Sequence, residues 1–136
     1  MNPEILLRLA WAIALAGVGL AFYWLINRLV LRHARGQVSA LHLPNDGTPA
    51  ILYFTTPACV PCKTIQRPAI HRLQKLMGDR LKVVEVDASA QPDIARQWGV
   101  MSVPTTFIID PQGQPRHVNH GVTTADQLLD QIRHIS

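Results

Sequence analysis

Between Leu9 and Ile26 the chain runs for eighteen residues without a charge, LAWAIALAGVGLAFYWLI. As a helix rising ~1.5 Å per residue this segment spans about 27 Å, close to the ~30 Å hydrocarbon core of a bilayer. Leu29, Val30 and Leu31 extend the apolar character, and Arg8 and Arg28 can snorkel to the headgroups, so residues 9–31 are expected to meet membrane lipid. Trp11 lies near one end and Phe22, Tyr23 and Trp24 near the other, where amphipathic rings favour the interface. A cleaved signal peptide would want a strongly basic start and a small-x-small site after the run; here Glu4 and Arg8 precede it and Tyr23-Trp24-Leu25-Ile26 close it. A buried soluble helix would show a polar face, and this one has none. The expectation is a single-pass N-terminal anchor. Ala10, Ala14, Gly17 and Ala21 form a small-residue stripe, but Ala and Gly are common in such helices, so a monomer is expected.

With 136 residues in all, the chain has room for one further domain of roughly 100 residues, enough to bury a core. The net charge of +4 resembles a nucleic-acid signal until it is divided along the chain. Residues 1–36 hold Arg8, Arg28, Arg32 and Arg35 against Glu4, and the remaining hundred residues carry a net +1. The positive charge therefore flanks the apolar segment instead of coating the domain, and nucleic-acid binding is not expected. The same arginines bear on topology. By the positive-inside bias they favour a cytoplasmic domain, with an extracytoplasmic one as the alternative.

Composition then divides the chain into an anchor with its basic flank (1–36), a polar linker (37–48) and a folded domain (49–136). Val38, Leu41 and Leu43 alternate within the linker in the manner of an edge strand. Ala50–Phe54 is a compact apolar run suited to a strand buried on both faces, and residues 81–87 read as a second core strand. Cys62 to Met77 has helical spacing through Ile65, Ile70, Leu73 and Leu76, with a kink expected at Pro68 and a stop at Gly78. Pro92 to Trp98 reads as a short helix closed by Gly99, and Thr105–Ile109 as a third strand. Asp110-Pro111-Gln112-Gly113 is a turn, so residues 114–119 should return antiparallel. The last helix, within 123–135, opens on a capping pattern and carries Leu128, Leu129 and Ile132 at helix spacing. This order gives an α/β domain: a mixed central sheet with helices on both faces.

The only two cysteines stand three apart, Cys59-Val60-Pro61-Cys62, where a buried strand gives way to a helix. Two such residues cannot form a stapling framework, so the thiols serve chemistry or a metal. Unpaired amides at a helix N-terminus stabilise a thiolate, which is the attacking species in disulfide exchange. Cys59, at or before the first turn, is the candidate nucleophile; Cys62, inside it, can form a disulfide with Cys59 and resolve a mixed disulfide. Pro61 suits a helix start because a missing N–H is harmless there. A metal site would need further ligands. His117 and His120 are the tempting pair, but on a strand positions three apart lean to opposite faces, so no metal site is expected. His33, His42, His71 and His134 read as solvated or linker residues.

Residues from about 49 to 135 resemble the thioredoxin superfamily. The match rests on Cys59-Val60-Pro61-Cys62-Lys63 after a strand, Trp98-Gly99-Val100-Met101-Ser102-Val103-Pro104-Thr105, and Gly121 before the last helix. The resemblance implies a thioredoxin-like fold and dithiol/disulfide exchange with protein substrates and a redox partner it does not identify, in cell redox homeostasis, without a cofactor. It also implies that Pro104 follows a cis bond beside the active-site disulfide and that the backbone at Val103 pairs with an extended substrate. Thioredoxins proper resemble Trp-Cys-Gly-Pro-Cys at the site, whereas Ala58 and Val60 stand here. The family's buried acid falls at Tyr53 and its companion lysine at Val83, so a proton acceptor is missing from its usual place near Cys62. The alternative reading, from a different class, is a binding module on the same fold that delivers metal or recruits a partner at the membrane.

Overall fold

The structure is a computed structural model that describes residues 2–35, 43 and 46–135. The chain divides into two compact units, with the boundary between Val30 and Leu31.

In the first unit the apolar run is helical, as its composition demands. Helix α1 covers Pro3–Arg35, 33 residues, and every side chain from 2 to 26 is exposed. By length and composition it can cross a membrane, a property that a signal sequence shares. Arg28 lies over the Trp24 ring at 5.1 Å, a cation–π contact near the end of the apolar segment.

Among the described residues the second unit is built on a four-stranded sheet. Strands β1 (Ala50–Thr55), β2 (Lys82–Asp87), β3 (Thr105–Ile109) and β4 (Pro115–His120) lie in the order β2-β1-β3-β4. The β1–β2 pair is parallel, Tyr53 opposite Glu85, while β1–β3 and β3–β4 are antiparallel. This is the expected mixed sheet. Strands β1 and β3 are central and wholly buried, which is why both read as continuous apolar runs. Among the described residues strand β2 pairs with β1 alone, and it is half-buried with Glu85 exposed where a core strand was expected. Strand β4 lies at the far end of this order and opens on Pro115, where a missing N–H is tolerated. The edge strand expected around Val38 and Leu41 lies outside the described residues; Leu43 is described, and is buried without strand structure.

Alternation along the strands separates two cores. On one face Ile51, Tyr53 and Ile108 meet Ile70 and Leu73 of α2 (Arg67–Met77) and Leu128 and Ile132 of α4 (Ala125–Ile135), and both cysteines belong to this cluster. On the other, Phe54 and Phe107 pack edge-on at 5.9 Å, and Trp98, just after α3 (Pro92–Gln97), lies 5.0 Å from Phe107. Thr124 and Gln127 form the capping box of α4: the Thr124 hydroxyl accepts from the Gln127 amide at 3.3 Å, and the Gln127 side chain accepts from the Thr124 amide at 3.3 Å.

The helix expected from Cys62 to Met77 is two pieces. Residues Cys62–Gln66 form one π-helical turn, in which the Arg67 amide bonds to the Cys62 carbonyl, and α2 begins at Arg67 with Pro68 in its first turn. The wide turn takes the place of the expected kink. Proline cannot donate and its ring crowds the preceding turn, and an added residue there relieves both. Ile70 and Leu73 are buried and Met77 packs beside them, whereas Ile65 and Leu76 face solvent, contrary to the spacing read from sequence.

Candidate active site

Strand β1 ends at Thr55, and the chain turns so that the Cys59 amide bonds to the Thr56 carbonyl at 3.2 Å. Helical backbone starts at Val60, which makes Cys59 the residue that caps it. Its sulfur fills the role usually taken by a serine or aspartate oxygen, accepting the Cys62 amide at 3.2 Å. The sulfur expected to carry negative charge thus already faces a helix-end donor. Cys59 and Cys62 are joined in a disulfide, with S–S 2.03 Å and Cα–Cα 5.3 Å. Cys59 keeps 9 % of its surface and Cys62 none, so both are buried in this disulfide form, Cys59 less completely, and neither is the exposed residue that a nucleophile at the helix start would be expected to be. Pro61 lies in the first turn in helical conformation, and the Thr64 hydroxyl returns to the Val60 carbonyl at 3.0 Å.

The Val103–Pro104 peptide bond is cis. Pro104 is buried and its carbonyl accepts the Gly121 amide at 2.8 Å; Gly121 has φ +84°, which a side chain would strain. Val103 packs against the cluster that holds both cysteines. The loops therefore bring the two sequence-selected regions, 59–62 and 103–104, to one end of the sheet. Beside them opens a largely apolar groove of about 320 Å³, lined by Thr56, Ala88, Pro92, Ala95, Met101 and Val103. Met101 is 96 % exposed and Val60 also stands in solvent.

Tyr53 occupies the interior beneath the helix start. Its ring is buried and its hydroxyl donates to the Cys62 carbonyl at 3.2 Å. Burial, and then the charge of Glu85, push the phenol's pKa above its ordinary value, while a hydrogen bond with Thr55 and the charge of Arg67 oppose them; the group stays neutral at physiological pH. Val83 packs on the cysteine cluster, apolar where the resemblance would put a lysine. Charge appears one pleat further along β2, where Glu85 pairs with Arg67 at 2.6 Å. Both line a pocket of about 200 Å³ with Tyr53 and Val83. Neither Glu85 nor Arg67 carries a signal that sequence reading could have used. Each is an ordinary charged residue until the Tyr53–Glu85 register places it beside Tyr53.

His117 is half-buried and His120 exposed on β4. Among the described residues no three His, Cys, Asp or Glu side chains are grouped as metal ligands would be.

A family model described as thioredoxin matches residues 40–134. A thioredoxin of Bacillus subtilis is 41% identical over 56 residues, covering 41% of this chain and 53% of that protein, so the match spans about half of that relative's length. A thioredoxin-like protein of Synechocystis is 32% identical over 91 residues, covering 67% of this chain and 85% of that protein. Among solved structures, thioredoxin-2 of a malaria parasite superposes with a TM-score of 0.60 at 25% identity, over 64% of this chain and 82% of that one. A thioredoxin of Fasciola hepatica superposes with a TM-score of 0.59 over 68% of this chain and 85% of its own, at 23% identity, a likeness of fold.

Proposed function

The chain belongs to the thioredoxin family, and from that premise we propose that it is a membrane-tethered thiol–disulfide oxidoreductase acting on protein disulfides and dithiols through Cys59 and Cys62. The observation that carries the reading is the Cys59 sulfur at the helix start, bonded to the Cys62 amide and joined to the Cys62 sulfur. In the reduced protein the same amide favours the Cys59 thiolate. That thiolate attacks a client disulfide: a Cys59–client bond forms, the client bond breaks, and the departing client sulfur takes up a proton. Cys62 then loses its proton and attacks the Cys59 sulfur, closing the 59–62 disulfide and releasing the second client thiol. Two electrons pass to the client. A further dithiol partner would return them, and the steps run backwards when the client is a dithiol. No cofactor takes part.

Val103 and Pro104 form the wall along which an extended client segment lies, with the apolar groove next to them receiving its side chains. Helix α1 holds the protein, as a monomer, in the membrane through residues 9–31, with linker 37–48 leading to the catalytic domain 49–136. The basic flank Arg28, Arg32 and Arg35 favours the cytoplasmic side.

Purified full-length protein in detergent is expected to reduce insulin with a dithiol donor and to hold no stoichiometric metal. Bound metal with no insulin reduction would replace this reading with the metal-delivery alternative. In intact cells, labelling of Cys59 by a membrane-impermeant maleimide would move the domain to the outer side.

A further inference from the structure

Reduction removes the covalent link between Cys59 and Cys62, and resolution then depends on how well the fold alone keeps Cys62 beside its target. The Cys62 carbonyl is held twice. The Arg67 amide reaches it across the π turn, and the Tyr53 hydroxyl reaches it from β1 at 3.2 Å. Strand β1 is also the element that runs into Cys59, so Tyr53 ties the base of the nucleophile's loop to the peptide of the resolving residue. Both ends of this bond are interior: Tyr53 is 1 % exposed and Cys62 fully covered. A buried carbonyl that loses one donor finds no water to replace it.

We propose that Tyr53 is a positioning residue for the resolving step, its hydroxyl holding the Cys62 peptide so that the Cys62 sulfur stays within reach of Cys59 once the disulfide is open. This rests on the exchange reading above. Tyr53 does this without a titrating carboxylate. A neutral donor supplies the anchor at the position where the family resemblance puts an acid, and the nearest charges, Glu85 and Arg67, are paired with each other. The resolving step should therefore show no buried-carboxylate titration.

The test uses the reduced full-length protein in detergent and dithionitrobenzoate. Attack by Cys59 releases one thionitrobenzoate and leaves a Cys59 mixed disulfide. Attack by Cys62 on the Cys59 sulfur releases the second, the Cys62 proton going to solvent. Tyr53→Phe, which removes only the hydroxyl, is expected to leave the first release within about twofold of the parent. It should slow the second about threefold to tenfold, the factor one neutral hydrogen bond is typically worth. Equilibration with glutathione should show the same loss in effective thiol concentration, raising the reduction potential by up to about 30 mV for a tenfold change. Ile70→Val, in the same cluster, is expected to lose stability but keep the parent's second release.

A Tyr53→Phe protein with the parent's second rate overturns the proposal. So does a slowing by Ile70→Val equal to that by Tyr53→Phe, or a Tyr53→Phe chain that does not fold, since either would make the hydroxyl a matter of general stability. A parent that gives no second release would instead defeat the exchange reading itself.

Discussion

Gln66 and Thr123, fifty-seven positions apart, pair as two residues of a sheet would: the Gln66 side-chain amide donates to the Thr123 carbonyl at 3.1 Å, and the Thr123 amide donates to the Gln66 side-chain oxygen at 2.8 Å. Gln66 closes the π turn that starts at Cys62, and Thr123 lies just before α4, so this pair fastens the active-site helix to the last helix. Both residues are buried. Gln66→Leu has nearly the right size but leaves a donor and an acceptor without partners. The expected loss is about 2–4 kcal/mol, from ~1–3 kcal/mol for each stranded group. Denaturant unfolding checks it, and a loss under about 0.5 kcal/mol would mean that the pair is replaced at no cost.

Asp110 is 2 % exposed and organises the turn into β4, accepting the Gln112 and Gln114 amides at 3.0 and 2.8 Å through one oxygen and Arg116 at 2.6 Å through the other. Asp110→Asn keeps an oxygen for the two amides and loses the ion pair with half-exposed Arg116. Asp110→Ala loses all three bonds. The alanine variant should be destabilised by about 2–3 kcal/mol and the asparagine variant by less than half of that, given ~1.5–3 kcal/mol for hydrogen bonds to a charged group and the weakness of solvent-screened pairs. Equal losses would show that the charge, and not the turn geometry, is what matters.

His117 gives the fold a pH dependence. Burial first, and then the nearby His134, lower its pKa from the ordinary 6.5. The unfolded chain therefore binds the proton more readily than the folded one, so the associated stability is complete above about pH 6.5 and is lost as pH falls from there through the lowered folded value. His134 itself lies beside Asp130, 3.7 Å away and exposed. Thermal melts of His117→Gln should fall less between pH 7 and pH 5 than those of the parent. A parallel fall in both proteins would place the acid sensitivity elsewhere.

These relationships show what sequence can and cannot express. Strands β1 and β3, the Asp110 turn and α4 were legible because each is written locally, in an apolar run, a turn tetrapeptide or a helical stripe. The juxtaposition of residues 59–62 with 103–104 followed from the resemblance, carried by Cys59, Cys62, Trp98, Pro104 and Gly121 together. The π turn was not legible: Pro68 announces trouble in the helix, but a kink and an inserted residue leave the same mark in the sequence. Nor was the partial burial of β2, because Val83, Val84 and Val86 all read as core, whereas only Val86 is buried. Tyr53 stood out as a departure from the family pattern, yet its bond to Cys62 depends on where the helix start falls, and the Gln66–Thr123 pair has no local trace at all.

The division of labour between the cysteines is the central claim, and trapping tests it most directly. With Cys62 replaced by serine, Cys59 can still attack but nothing resolves the product, so mixed disulfides with client proteins should accumulate and run as high-mass bands lost on reduction. Cys59→Ser should trap nothing, and iodoacetamide should modify Cys59 faster than Cys62 in the reduced parent, in line with the amide at the Cys59 sulfur and the complete burial of Cys62. Trapping by Cys59→Ser and not by Cys62→Ser would reverse the assignment, and full exchange activity in the double mutant would contradict the account outright.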